Sequence, residues 1–171
     1  MAWEETRPGQ WQRPIGENEA LIKCIGDAGK ILGKDVWSIS ATATFVAQVE
    51  PKSLSRALRD GWKLLRFRHP SIATVADDGV LEYRVPSLVG LEQWADEIFV
   101  YVETGINLDD VIANLKPTRF ATLYYLQESS SLVLYLSHWR TDGVGAFHLL
   151  NAFFNAVIES LKEETPWSTV G

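Results

Sequence analysis

The chain holds one cysteine, Cys24, in 171 residues, so no intrachain disulfide and no cysteine-built zinc site can form. Its three histidines fall at positions 69, 138 and 148 and spell out no metal cluster, so no metal is expected. Cations are also scarce: 16 Lys and Arg stand against 22 Asp and Glu, for a formal net charge of −6. The densest basic run, Lys63 to Arg68, is broken by Leu64, Leu65 and Phe67. A nucleic-acid footprint needs clustered cations, and none is expected here. No glycine-rich phosphate loop follows a strand, which disfavours the common nucleotide-binding folds. No apolar run approaches the roughly 20 residues that span a bilayer, so no membrane span is expected. The opening Met1-Ala2-Trp3-Glu4-Glu5-Thr6 is polar and acidic rather than a charged-then-apolar signal, so the expectation is a cytoplasmic protein.

What is present fits one ordinary globular domain with a substantial core: 46% hydrophobic and 22% charged residues. The seven tryptophans are spread along the chain, which favours packing roles over a base-stacking platform. Residues 1–35 read as an irregular N-terminal segment punctuated by Pro8, Gly9, Pro14, Gly26, Gly29 and Gly33. Residues 36–164 read as the folded lobe and 165–171 as a linker.

Within the lobe, Val36 to Val49 alternates small polar and apolar residues and predicts a strand. Pro51 opens a helix whose Leu54, Leu58, Trp62 and Leu65 share one face to about Arg68. Ile72–Ala76 and Val80–Val85 flank Asp77-Asp78-Gly79 as a hairpin. Short helices are expected at Leu91–Asp96 and at Leu108–Leu115, the second capped by Asn107, with a short strand at Ile98–Val102 between them. Arg119–Gln127 and Leu132–Ser137 form an antiparallel pair, and the second, apolar on both faces, should be central. The last helix runs from Gly143 to about Lys162, with Val144, Phe147, Leu150, Phe154, Val157, Ile158 and Leu161 on its apolar face. The pattern is α+β, a mixed and mainly antiparallel sheet with helices packed on it.

The stretch that carries chemistry is Ser137-His138-Trp139-Arg140-Thr141-Asp142-Gly143. A titratable ring ends a buried strand just before a helix start, which suits proton transfer near neutral pH. Each residue also has a structural reading. A core histidine satisfied by a carbonyl, an Asp142 that caps the last helix, and glycines at 143 and 145 that permit close approach would look the same. His69 at a helix end and His148 on the polar stripe of the last helix read as structural or solvent-facing. Ser137 beside His138 lacks the G-x-S-x-G elbow of a hydrolase.

His138-Trp139-Arg140-Thr141-Asp142-Gly143 resembles the HxxxDG motif of the CoA-dependent acyltransferase superfamily, which has the chloramphenicol acetyltransferase-like fold. Leu64-Leu65-Arg66-Phe67-Arg68-His69-Pro70-Ser71-Ile72-Ala73-Thr74, Arg13-Pro14-Ile15-Gly16-Glu17-Asn18-Glu19 and Val36-Trp37-Ser38-Ile39-Ser40-Ala41 are similar to the opening lobe of fungal trichothecene 15-O-acetyltransferase-like members. The resemblance implies a general base at His138 and a structural aspartate at Asp142 paired to an arginine, for which Arg68 is the candidate. It implies room at a substrate tunnel beside Gly143. It further implies acyl-CoA as co-substrate with no bound cofactor, and a small-molecule hydroxyl as acceptor.

The chain departs from that family in two ways. Ser137 stands where condensation domains carry a first histidine, and Ala73 where they often carry a second arginine; the former favours plain acyl transfer. The second lobe, with its bridging strand and DFGWG-like loop, is not in this sequence. The expected partners are therefore a missing C-terminal lobe, a partner chain, or a second copy. The expected function is the N-terminal half of an O-acyltransferase; the alternative is a non-catalytic lobe that binds a hydrophobic metabolite or completes another chain.

Overall fold

The computed structural model describes residues 2–33 and 36–162. Within the segment expected to be irregular, residues 4–32 form regular elements for most of their length. Strands β1 (Glu4–Arg7) and β2 (Gln10–Pro14) form an antiparallel hairpin, and helix α1 (Glu17–Asp27) follows. Gly9 supplies the left-handed turn residue at φ 73°. The hairpin hid from pattern reading because β1 is exposed throughout, so no apolar alternation marks it. Helix α1 starts where the Glu19 carboxylate accepts the Gly16 N–H at 2.8 Å while also gripping Arg13. The expected linker, 165–171, lies outside the described residues.

The remaining elements are β3 (Ser38–Thr44), α2 (Pro51–Arg68), β4 (Val75–Asp77), β5 (Val80–Arg84), α3 (Leu88–Ile98), β6 (Phe99–Tyr101), α4 (Leu108–Ala113), β7 (Thr122–Leu126), β8 (Ser131–Ser137) and α5 (Gly143–Lys162). Strand β3 is shorter than the expected Val36–Val49, and the front of the β4–β5 hairpin is a 3-10 turn, Pro70–Ala73. Asp78 and Gly79 turn that hairpin with φ of 43° and 75°. Asn107 caps α4 by accepting the Asp110 N–H at 2.9 Å. One sheet has the order β1-β2-β5-β4 and the other β3-β8-β7-β6, antiparallel except for the β6–β7 pair. The fold is thus α+β with mixed, mainly antiparallel sheets.

Strand β8 is interior to its sheet, and Leu132 to Leu136 are buried without a break. Leu132, Leu134 and Leu136 belong to the main core with α2 and α5, whereas Val133 packs with Val111 of α4 and Leu126. Two layers therefore cover one strand, which is why its sequence shows no alternation. On α2, Leu54, Ala57, Leu58, Trp62 and Leu65 are all buried, and Trp62 stacks on Trp94 with ring centres 6.1 Å apart.

Helix α5 is rotated from its expected setting. Ala146, Leu149, Leu150, Phe153, Ala156, Val157 and Ser160 face inward, while Val144 and Phe147 are 65% and 64% exposed. The helix is apolar over most of its circumference, so periodicity alone does not fix its rotation. Steric fit does: Gly61 of α2 lets the backbone of Val157 come close. With a mean hydropathy of 1.3 over its most apolar stretch, α5 is long and apolar enough to cross a membrane; in this fold its buried face packs into the core beside α2.

A Cβ at position 61 would stand 2.7 Å from Val157 Cγ2 and 2.9 Å from the Val157 backbone nitrogen. Alanine favours a helix over glycine by about 1 kcal/mol, but backbone cannot step aside for the added methyl. Gly61→Ala is expected to destabilise the fold by a net of about 1–3 kcal/mol. Urea denaturation of the two proteins checks this, and a stabilised Gly61→Ala protein would refute the close crossing.

Candidate active site

The β8 ladder delivers His138 to its position. Ser137 pairs with Ser38 at the end of the β3–β8 register, and the chain then enters a 3-10 turn, His138–Arg140. The His138 N–H donates to the Trp37 carbonyl at 2.9 Å, one step beyond the ladder. The Trp37 ring lies against the imidazole with centroids 5.8 Å apart. His138 is half-buried, and its Nδ1 is shielded from solvent with no hydrogen-bond partner among the described residues. The ring is therefore positioned by backbone and by packing, and its remaining exposure lies on its other atoms.

Asp142 performs the capping role. Its Oδ1 accepts the Gly145 N–H at 2.7 Å, and its carbonyl accepts the Ala146 N–H at 2.9 Å, so it closes the first turn of α5. The two glycines differ. A Cβ on Gly143 would meet nothing within 4 Å, whereas one on Gly145 would fall 1.8 Å from Thr141 Oγ1 and 3.3 Å from Asp142 Oδ1. Gly145 is the residue that the local fold requires. Gly143 leaves open space at the helix mouth.

Arg68 is not drawn to Asp142 by any hydrogen bond or ion pair described for either residue. Its guanidinium grips Glu159 of α5 through two bonds, at 2.8 and 2.6 Å, and that contact holds the Glu159 carboxyl below its usual range. This contact is a surface link between α2 and α5. The arginine that organises the motif is Arg140. It donates to the carbonyls of Ser71 and Thr74, each at 2.7 Å, and of Arg119 at 2.6 Å, with Trp139 stacked 4.2 Å away. One guanidinium thus ties the turn after β8 to the approach to β4 and to the loop before β7. Spacing gave no sign of this, because Arg140 occupies a variable position of the motif. His69 and His148 are exposed, in keeping with their structural or solvent-facing readings. No group of three or more potential metal ligands occurs among the described residues.

No protein-family model matches the sequence. The chain is 45% identical over 159 residues to acetyltransferase pigO of Monascus ruber, covering 91% of this chain and 35% of that protein. It is 34% identical over 169 residues to O-acetyltransferase pigM of the same organism, covering 97% and 33%. The chain therefore spans about a third of the length of the curated relatives it matches. Among solved structures it superposes on TRI3 trichothecene 15-O-acetyltransferase from Fusarium sporotrichioides with a TM-score of 0.64 at 19% identity, covering 91% of this chain and 37% of that one. It also matches polyketide synthase associated protein 5 from Mycobacterium tuberculosis with a TM-score of 0.51 at 19% identity, covering 90% and 34%. The chain is related in sequence to fungal acetyltransferases and has the fold of the matching part of the trichothecene enzyme, as the resemblance in its sequence implied.

The cap and the two glycines make separable predictions. Asp142→Ala should lower unfolding free energy by about 1 kcal/mol, and Asp142→Asn by much less, because an amide oxygen still accepts the Gly145 N–H. Gly145→Ala should cost about 1–3 kcal/mol, while Gly143→Ala should be neutral or slightly stabilising. Thermal and urea unfolding of the four proteins decide the matter; equal losses at the two glycines would contradict the division between them.

Proposed function

We propose that this chain is the N-terminal half of an O-acyltransferase that moves an acyl group from a CoA thioester to a hydroxyl of a small metabolite, with His138 as general base. The observation that carries the reading is the placement of His138. It is a half-buried imidazole at the end of a doubly covered strand, in the short turn that leads to the open space at Gly143. In this reading a neutral imidazole takes the proton of the acceptor hydroxyl as its oxygen attacks the thioester carbonyl. The tetrahedral intermediate then expels the CoA thiolate, which leaves with that proton. Asp142 and Gly143 shape the mouth of the site without touching the reacting atoms, and Arg140 holds the turn that carries the base.

The relatives' greater length and the exposed apolar residues of α5 support a further lobe as the second wall of this site. Val144 and Phe147 are exposed on the first turns after the motif, and Trp37, which touches the imidazole, is 43% exposed. Large apolar residues left open on the elements that flank a candidate base are what a site lacking one wall would show.

His138→Ala in a preparation completed with the region that the relatives carry should reduce acyl transfer by about 10³-fold or more, while the protein stays folded. The measurement is release of free CoA thiol with an acyl-CoA and an alcohol acceptor. Turnover retained in His138→Ala would sink the assignment of the base.

A further inference from the structure

Helix α4 is short, and its shortness opens a second cavity. Its six residues place Val111 over Leu126 and Val133 but stop short of the sheet edge. Beside it, Val100, Val102, Leu115 and Tyr124 remain half-buried. Between α4 and the outermost strand, β6, lies a cleft of about 580 Å³. That volume falls in the range of about 300–1,000 Å³ typical of small-molecule sites. The cleft shares no residue with the stretch from Ser137 to Gly143. Tyr124 in its wall pairs with Val133 of β8. At about 3.3 Å per residue, the run from Val133 to His138 puts roughly 17 Å between this cleft and the candidate base.

The walls are braced by hydrogen bonds. The Val102 N–H donates to the Tyr125 carbonyl at 3.0 Å, and the Tyr101 hydroxyl donates to the Ser55 carbonyl at 3.1 Å. The Asn114 side chain donates to the Asp110 carbonyl at 2.8 Å and closes the end of α4. The charges are all of one sign. Among the described residues no Lys, Arg or His lines the cleft, whereas Glu103 and Asp110 do. Both are exposed and enter no ion pair among the described residues. The adjoining hollow, which shares Ile106, adds Asp109 and Glu128 and again no cation. Arg59, whose charge reaches the Tyr101 hydroxyl, is held by Glu92 and Asp96 at 2.9 and 2.7 Å. Lys116, next along the chain from Leu115, lines a different cleft with Arg119.

We infer that this cleft binds a lipophilic amine, its hydrocarbon part between α4 and β6 and its ammonium group at the Glu103 and Asp110 carboxylates. Apolar walls reward burial of a hydrocarbon tail whatever the head group. The head group is selected by sign. Exposed carboxylates add little affinity for an ammonium but oppose a second carboxylate, so they discriminate more than they bind. The Tyr101 and Tyr124 rings in the wall add faces that favour a cation over an anion. The site is independent of the acyl-transfer reading, because no residue of the motif takes part in it.

The test is isothermal titration calorimetry of the 171-residue chain with octylammonium, octanol and octanoate, all below micellar concentrations. Octylammonium is expected to bind most tightly and octanoate about tenfold or more weakly, with octanol between them. In Glu103→Gln/Asp110→Asn, on exposed side chains, octylammonium and octanoate should bind within about twofold of each other, with an unchanged circular dichroism spectrum. In the native chain octylammonium should shift the backbone amide resonances of Val100, Val102 and Val111 and leave that of His138 in place. Four results would overturn the inference. They are no binding of octylammonium, octanoate binding as tight as octylammonium, selectivity unchanged in the neutralised variant, or shifts confined to residues outside the cleft.

Discussion

Strand β8 is hydrogen-bonded along both edges, to β3 and β7, and covered on both faces, and the α2–α5 layer and the α4 layer pack around that enclosure. A strand so enclosed leaves no backbone group and no apolar side chain in water. Burial of each large aliphatic side chain is worth roughly 1.5–3 kcal/mol, so the register of β8 is firmly held. Slipping it by one residue would exchange its two faces between the α2–α5 layer and the α4 layer. The residue that follows the strand inherits this rigidity. His138 extends the ladder by one hydrogen bond to Trp37, so its place is fixed without any partner on its side chain.

The strength of that constraint also explains what pattern reading recovers. Strand β8 and helix α2 are long, strongly patterned and bounded by clear punctuation, Pro51 at one helix start and Asp78-Gly79 at the hairpin turn. The Asn107 cap and the antiparallel pairing of β7 with β8 were legible for the same reason. The first 35 residues were not, because their strands lie on the surface and are recruited by pairing with β5 rather than by burial. The rotation of α5 was illegible because its circumference is apolar nearly all round, so the deciding contact was Gly61 on another helix. Sequence can place a glycine at 61; only the fold shows which backbone comes against it.

The candidate site divides in the same way. The motif announces His138, Asp142 and Gly143, and their neighbourhood in space follows from chain proximity alone. It does not announce Arg140 or Gly145, whose roles depend on carbonyls nearly 70 residues away and on the rotamer of Thr141. Nor does it announce the link from Arg68 to the Glu159 carboxylate one helix over, made through two bonds. Long flexible cations find the acceptor that tertiary packing offers, which sequence spacing cannot rank.

Once these commitments are counted, little in the motif is left for chemistry. The Asp142 carboxylate closes a helix turn, and Arg140 is engaged by three carbonyls, so neither is oriented toward the imidazole as a relay. A base working through Nε2 must carry its proton on Nδ1, and that nitrogen is buried without an acceptor among the described residues. Leaving such an N–H unmet costs about 1–3 kcal/mol, and the cost is smaller when the proton sits on the other nitrogen. The proposed chemistry therefore needs an acceptor for Nδ1–H that the described residues do not supply. Such an acceptor, or a hydroxyl hydrogen-bonded to Nε2, would favour the proton on Nδ1. On this reasoning, what a second lobe and a bound acceptor would contribute is the proton arrangement of the base, in addition to the missing wall of the site.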